Sequence, residues 1–312
     1  MKALIIGFGS IGSLHAEVLI GMGLDVLVVS RRDIDFPSRL SGIVEGLDWN
    51  PDYVVIATCT ADHQDNLRVL AEYGYSGLVL VEKPLFRDMP EAVPAFPFDL
   101  FVGYNLRFHP VIEEFKARWG SERFLSCHAY CGQILESWRK GRPSKFVYSA
   151  SRAGGGGVLR DLSHELDLLI HLFGPVRQFK ALGGRVSDQT IDSDDVYGFL
   201  MQMEKCPLVT LQINYLDRVS RRELLLNSAS HSLKLDVVRK TVEFDGESMS
   251  FICERADTYR KMHRELLEGD RQSLCSFEEA LKVQELISIA DRQQVYECTQ
   301  LDLVTKSSER EE

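Results

Sequence analysis

The chain has no uninterrupted apolar run long enough to cross a bilayer, and Met1 to Ile6 gives way to Gly7 before it could serve as a signal peptide's apolar region. These absences lead us to expect a cytoplasmic protein with no membrane partner. Its seven cysteines include no CxxC pair and stand in a 312-residue chain too large to need staples, so we read them as reduced thiols. Basic charge is in deficit: 36 Lys and Arg against 46 Asp and Glu leave −10, which argues against a nucleic-acid partner, since phosphate backbones require a cationic surface. Several catalytic signatures are missing as well. There is no GxSxG turn for a nucleophilic serine, and no tyrosine is followed four residues later by lysine. The run His164-Glu165-Leu166-Asp167-Leu168 departs from HExxH at its last position, and we expect no metal.

What is present begins with a βα rhythm. Lys2 to Ile6, Asp25 to Ser30, Tyr53 to Thr58, Gly77 to Val81 and Asp99 to Gly103 have strand character, with Ser10 to Met22 and Ala61 to Tyr73 as helices between them. Strands apolar on both faces and alternating with helices predict a doubly wound parallel sheet of Rossmann type; what crosses over between Arg32 and Pro51 is not legible. After Asn105 the rhythm changes. A helix over Pro110 to Trp119 precedes strands at Phe124 to Gly132, Val176 to Gly184, Asp194 to Met203, Leu208 to Tyr215, Glu223 to Ser228, Ser232 to Asp236 and Thr241 to Phe244. Short polar turns between several of them imply antiparallel pairing. Helices over Asp257 to Glu268 and Phe277 to about Gln294 close the chain, the second opened by Ser276 with Glu279 in capping-box spacing. The expectation is an α/β chain with a Rossmann domain over 1–107, followed by an α+β domain over 108–312 with a large, mostly antiparallel open sheet.

Gly7, Gly9 and Gly12 form GxGxxG directly after the first strand, so residues Gly7, Phe8, Gly9, Ser10, Ile11 and Gly12 should cradle a dinucleotide pyrophosphate at a helix N-terminus. At the end of the second strand stand Ser30, Arg31 and Arg32, with no carboxylate until Asp33. A hydroxyl and two guanidiniums suit a 2'-phosphate better than a free 2'-hydroxyl, so NADP is the first choice and NAD the second, unless the arginines are simply solvated. Glu82-Lys83-Pro84 follows another strand, at the edge where open α/β sheets bind ligands. Lys83 there can pass a proton to or from a hydroxyl, although the tripeptide in isolation also reads as a charged turn. The glycine run 154–157 feeds a helix whose core stripe is Leu159, Leu162, Leu166, Leu169 and Phe173. Asp161, His164, Asp167 and His171 lie on its other side. That side either faces water or brings Asp161 and His164, three residues apart, to one substrate hydroxyl, with His164 an acid/base near neutral pH.

Together these pieces resemble the Gfo/Idh/MocA family of glucose-fructose oxidoreductase and inositol dehydrogenase. The matching segments are GFGSIGSLHA at the start, VVIATCTADHQDNL at 54–67, VEKPL at 81–85, VGYNLRFHP at 102–110, GGGGVLRDLSHELDLLIHLFG at 154–174 and the closing SFEEALKVQELI. The resemblance implies an oxidoreductase in which Lys83 is the acid/base and His164 holds the reacting sugar hydroxyl. It places Thr58, Thr60 and His63 along the cofactor, Glu82 beside the nicotinamide ribose, and Asn105 and Arg107 in the segment closing over the ring. It also implies a homodimer or homotetramer through the C-terminal sheet. Many relatives carry Asp four residues before the histidine; here that position is Arg160, so Asp161 is a weaker match. The stretch from Trp138 through Arg142 to Tyr148 and Ser149 resembles a branch from bacterial surface-sugar and sialic-acid-like pathways. This suggests a sugar or nucleotide-sugar substrate contacted by Trp138, Arg142 and Tyr148, unless the segment is a solvated crossover. Rival expectations are a non-catalytic regulator sensing NADP on the same fold, and a relative acting on an inositol or a non-sugar substrate.

Overall fold

In a computed structural model, which describes residues 1–138 and 148–293, two sheets organise the chain. The first half contributes β1 (Lys2–Ile6), α1 (Ser10–Gly21), β2 (Asp25–Val29), β3 (Arg39–Leu40), α2 (Ile43–Asp48), β4 (Tyr53–Ile56), α3 (His63–Tyr73), β5 (Leu78–Val81) and β6 (Asp99–Val102). These strands pair in parallel, and the sheet order is β3-β2-β1-β4-β5-β6. Alternate residues explain why it is covered on both faces. Leu4, Ile6, Val54 and Ile56 enter a core with Leu47 of α2 and Leu67 of α3, whereas Ala3, Ile5, Tyr53 and Val55 enter one with Ala16 and Leu19 of α1. The crossover that the sequence left open holds β3 and α2, both too short to carry a period.

The second half runs α4 (Pro110–Trp119), β7 (Phe124–Gly132), α5 (Val158–Asp161), α6 (His164–Phe173), β8 (Val176–Gly184), β9 (Val196–Met203), β10 (Leu208–Asn214), β11 (Arg221–Ser228), β12 (Ser232–Asp236), β13 (Thr241–Phe244), β14 (Glu247–Ser250), α7 (Arg255–Glu268), β15 (Cys275–Ser276) and α8 (Phe277–Arg292). Strands β7 to β14 form an eight-stranded sheet in the order β14-β13-β12-β11-β7-β10-β9-β8, the expected mostly antiparallel sheet. One junction departs from that pattern, since β7 and β10 pair in parallel. The alternation along β9 buries Tyr197, Phe199, Met201 and Met203 and turns Leu200 outward. The chain then returns to the first sheet. Tyr259, Met262 and Leu266 of α7 join the core under α1, and β15 pairs antiparallel with β6 as an added edge strand. Ser276 caps α8 through the expected box with Glu279.

Candidate active site

The carboxyl edge of the first sheet collects most of the predicted residues. The ladder bonds Ala57 N to Ile6 O, Glu82 N to Ile56 O and Gly103 N to Val81 O carry the strand ends side by side, so Gly7, Thr58, Glu82, Lys83 and Asn105 emerge along one rim. Gly7 takes φ +100°, and a Cβ on it would lie 2.6 Å from the Ala57 carbonyl oxygen. A Cβ on Gly12 would strike the Gly7 carbonyl. Gly9, the N-cap of α1, faces open space and supplies no side-chain cap. The three glycines therefore do different work: two let backbone pass backbone, and the third leaves the N–H groups at the helix start uncovered. An anionic diphosphate suits that donor set.

Around this lip, Arg32 donates 2.6 Å to the Phe8 carbonyl and Arg31 pairs with Asp62 at 2.8 Å. Ser30 is buried and accepts from Arg32 N at 3.2 Å. On the next strand's loop, Asn66 holds the Thr58 hydroxyl at 2.9 Å, and Thr60 packs against the glycine run at Gly155. His63 is buried with Nδ1 3.0 Å from the Pro84 carbonyl, and burial lowers its pKa. Its Nδ1 therefore carries the proton, and among the described residues Nε2 has no partner.

Lys83 precedes a cis bond to Pro84, and its Nζ donates 2.8 Å to the Asp161 carbonyl. This contact bridges the two halves of the chain. The predicted single helix after the glycine run is two, broken at Leu162 and Ser163, so Asp161 ends one segment and His164 begins the next. Tyr148 donates 2.7 Å to Asp161 Oδ1 and Tyr215 donates 2.5 Å to Oδ2. The Asp161 carboxylate is thus engaged by two phenols and not by His164. Tyr215 carried no signal in the sequence, because only the sheet brings it there from 54 residues away.

On the helix side bearing Asp161, His164, Asp167 and His171, the two aspartates are buried and the two histidines half-buried, so it is not a solvated face. The pKa of His164 is held well below its usual value by burial first, then by the Lys83 and Arg222 charges. The expectation of a histidine titrating near neutral pH is corrected accordingly. His164 is a neutral ring whose Nδ1 has no partner among the described residues, with the Tyr104 ring edge-on at 5.5 Å.

Arg107 is also corrected. Its side chain is 1% exposed, it grips Asp167 at 2.6 and 3.1 Å, and it reaches the Leu274 carbonyl and Glu279. Every part of its fork is committed to protein, so it does not serve a substrate. Burial pulls its pKa down, and the carboxylates of Asp167 and Glu279 more than reverse this. Asn105 Nδ2 donates 2.7 Å to Thr258 of α7. Arg142 lies outside the described residues, as does the side chain of Trp138.

A glycine-lipped helix N-terminus on a parallel sheet thus faces a lysine and a histidine at the junction to a large open sheet. Residues 127–248 match the family model described as the GFO/IDH/MocA C-terminal domain, the family that the motifs resemble. Among solved structures the chain is similar to UDP-N-acetylglucosamine 3-dehydrogenase GnnA from Acidithiobacillus ferrooxidans (20% identity, 94% of this chain and 97% of that one, TM-score 0.73). It is also similar to levoglucosan dehydrogenase in complex with NADH (15%, 94% and 98%, 0.79) and to GenD2 from gentamicin A biosynthesis in complex with NAD (19%, 94% and 93%, 0.74). No curated protein matches by sequence. Among the described residues no helix is long and apolar enough to cross a membrane.

Proposed function

We propose that this chain is an NAD(P)-dependent oxidoreductase of a sugar or nucleotide sugar. The observation that carries the reading is Lys83 on the Asp161 carbonyl beside neutral His164, at the same sheet edge as the open lip of α1. The nicotinamide, when bound, exchanges hydride at its C4. Lys83 exchanges the proton with the reacting oxygen, and the neutral His164 ring hydrogen-bonds that hydroxyl. Tyr148 and Tyr215 fix Asp161, and through it the direction of Lys83.

NADP is the preferred cofactor in this reading. Arg32 lies across the Phe8 carbonyl, and Asp33, the first carboxylate after β2, is fully exposed and turned to Arg39 at 3.1 Å. The basic sequence Arg139, Lys140, Arg142 and Lys145 suits an anionic or polyhydroxylated substrate, such as a sialic-acid-like or nucleotide sugar. The outer face of the second sheet exposes Leu182, Leu200, Leu208 and Leu225, supporting a homo-oligomer built on that face, and light scattering tests it directly.

The function is tested by following nicotinamide absorbance with UDP-sugars, free sugars and inositols, using wild type and Lys83→Met. Turnover by wild type that the variant loses while still binding cofactor supports the enzyme. Cofactor binding without turnover on any substrate, unchanged in Lys83→Met, would instead point to the sensing regulator.

A further inference from the structure

Behind Glu82 a hydrogen-bonded chain leads away from the cleft through three wholly buried side chains from three elements. Glu82 Oε1 lies 3.0 Å from His15 Nε2 of α1, His15 Nδ1 lies 2.8 Å from His263 Nε2 of α7, and His263 Nδ1 lies 3.0 Å from the Tyr53 hydroxyl of β4. Tyr259 abuts the His15 ring edge-on at 5.1 Å. The glycine lip, Lys83 and His164 do not account for this chain.

Its direction follows from counting donors. Burial, then the neighbouring Tyr75 and Glu82, keeps the Tyr53 phenol protonated, and among the described residues its only hydrogen-bond partner is His263 Nδ1. The phenol must therefore donate. Burial above all holds His263 neutral, so its single proton sits on Nε2 and points at His15 Nδ1. His15 in turn carries its proton on Nε2 and donates to Glu82. Every link is satisfied by one proton per ring. The reverse direction would strand the phenolic hydrogen in the core and require a protonated carboxyl at Glu82. A second consequence concerns the inner ring: the His263 N–H occupies the lone pair of His15 Nδ1, so a second proton on His15 would have to displace that bond and turn the whole chain around. Among the described residues Glu82 Oε2 has no hydrogen-bond partner, and Gly103 makes room for the carboxylate, since a Cβ there would lie 2.7 Å from Oε1. Glu82 immediately precedes Lys83, which marks the reacting end of the cleft.

We propose that Tyr53, His263 and His15 are positioning residues, a one-way donor chain that keeps Glu82 anionic at the nicotinamide end of the bound dinucleotide and so favours the oxidised, cationic ring over the reduced, neutral one. The proposal rests on the dinucleotide reading, and the experiment separates the two. Nitrogen-15 NMR of histidine-labelled protein without nucleotide should show His15 and His263 as neutral Nε2–H tautomers at pH 7. An imidazolium or an Nδ1–H tautomer at either ring overturns the chain. Calorimetry then compares NADP+ with NADPH, and NAD+ with NADH, on wild type and His263→Leu. Losing the donor lets His15 protonate and neutralise Glu82, so the oxidised-to-reduced affinity ratio should fall by at least about tenfold, the factor for one charge acting on another about 12 Å away at an effective dielectric near 20. His263→Gln, whose amide N–H still faces His15, should restore the ratio. Should His263→Leu fail to fold, Glu82→Gln must show the same shift. An unchanged ratio in whichever of these variants folds refutes the proposal, and binding of neither nucleotide by wild type removes the dinucleotide reading and this proposal with it.

Discussion

Arg107 gives the sharpest test of what the tertiary structure adds. The motif around it places it over a cofactor ring, whereas in the fold its guanidinium is buried against Asp167, Glu279 and the Leu274 carbonyl. It ties the turn leaving β6 to α6 and to the start of α8, joining both halves of the chain. Arg107→Met removes one partner and leaves the Asp167 carboxylate buried without its cation, a change that costs about 3–5 kcal/mol. At about 2–4 °C per kcal/mol for a large domain, the melting temperature should fall by on the order of 10 °C. Adding Asp167→Leu removes the orphaned charge and should recover most of the loss. Thermal unfolding by circular dichroism measures both variants, alongside cofactor and substrate KM. A melting temperature within about 2 °C of wild type with a raised KM would refute the structural role and return Arg107 to the ligand.

The glycine lip should divide by position. Gly12→Ala is expected to destabilise or prevent folding because of the Gly7 carbonyl, whereas Gly9→Ala should fold normally and weaken dinucleotide binding, and equal melting losses for the two would contradict the assignment. Arg31→Ala with Arg32→Ala should weaken NADPH binding far more than NADH, and equal losses by calorimetry would show these arginines to be surface charge. The protein should also be acid-sensitive. His63, His109, His164, His171 and His263 all have pKa values lowered mainly by burial, His109 to about 4 and His171 to about 2, while the unfolded value is near 6.5. Unfolding therefore takes up protons below pH 6.5, and each histidine removes up to about 1.4 kcal/mol of stability per pH unit lowered until its folded pKa is reached. Asp194 works in the other direction. Burial raises its pKa to about 6, so between its ordinary 3.8 and 6 the folded state holds the extra proton, offsetting one histidine. Urea melts between pH 4.5 and 7.5 read the balance, and stability that stays flat or rises on acidification would refute it.

Local signals account for what the sequence by itself determined. The two-sided apolar strands, the helix over Pro110–Trp119, the Ser276 capping box and the glycine spacing each depend on residues within a few positions of one another, so periodicity and capping chemistry expose them. Long-range partners account for what only the tertiary structure decided. The parallel seam between β7 and β10, the return of β15 to the edge of β6 and the break between α5 and α6 have no local signature. The same holds for side-chain roles. His15 meets His263 across 248 residues, and Arg107 meets Asp167 across 60. A charged residue looks the same in a sequence whether it awaits a ligand or closes a buried pair, and the energetic cost of leaving it alone in the core is set by the partners that folding brings to it.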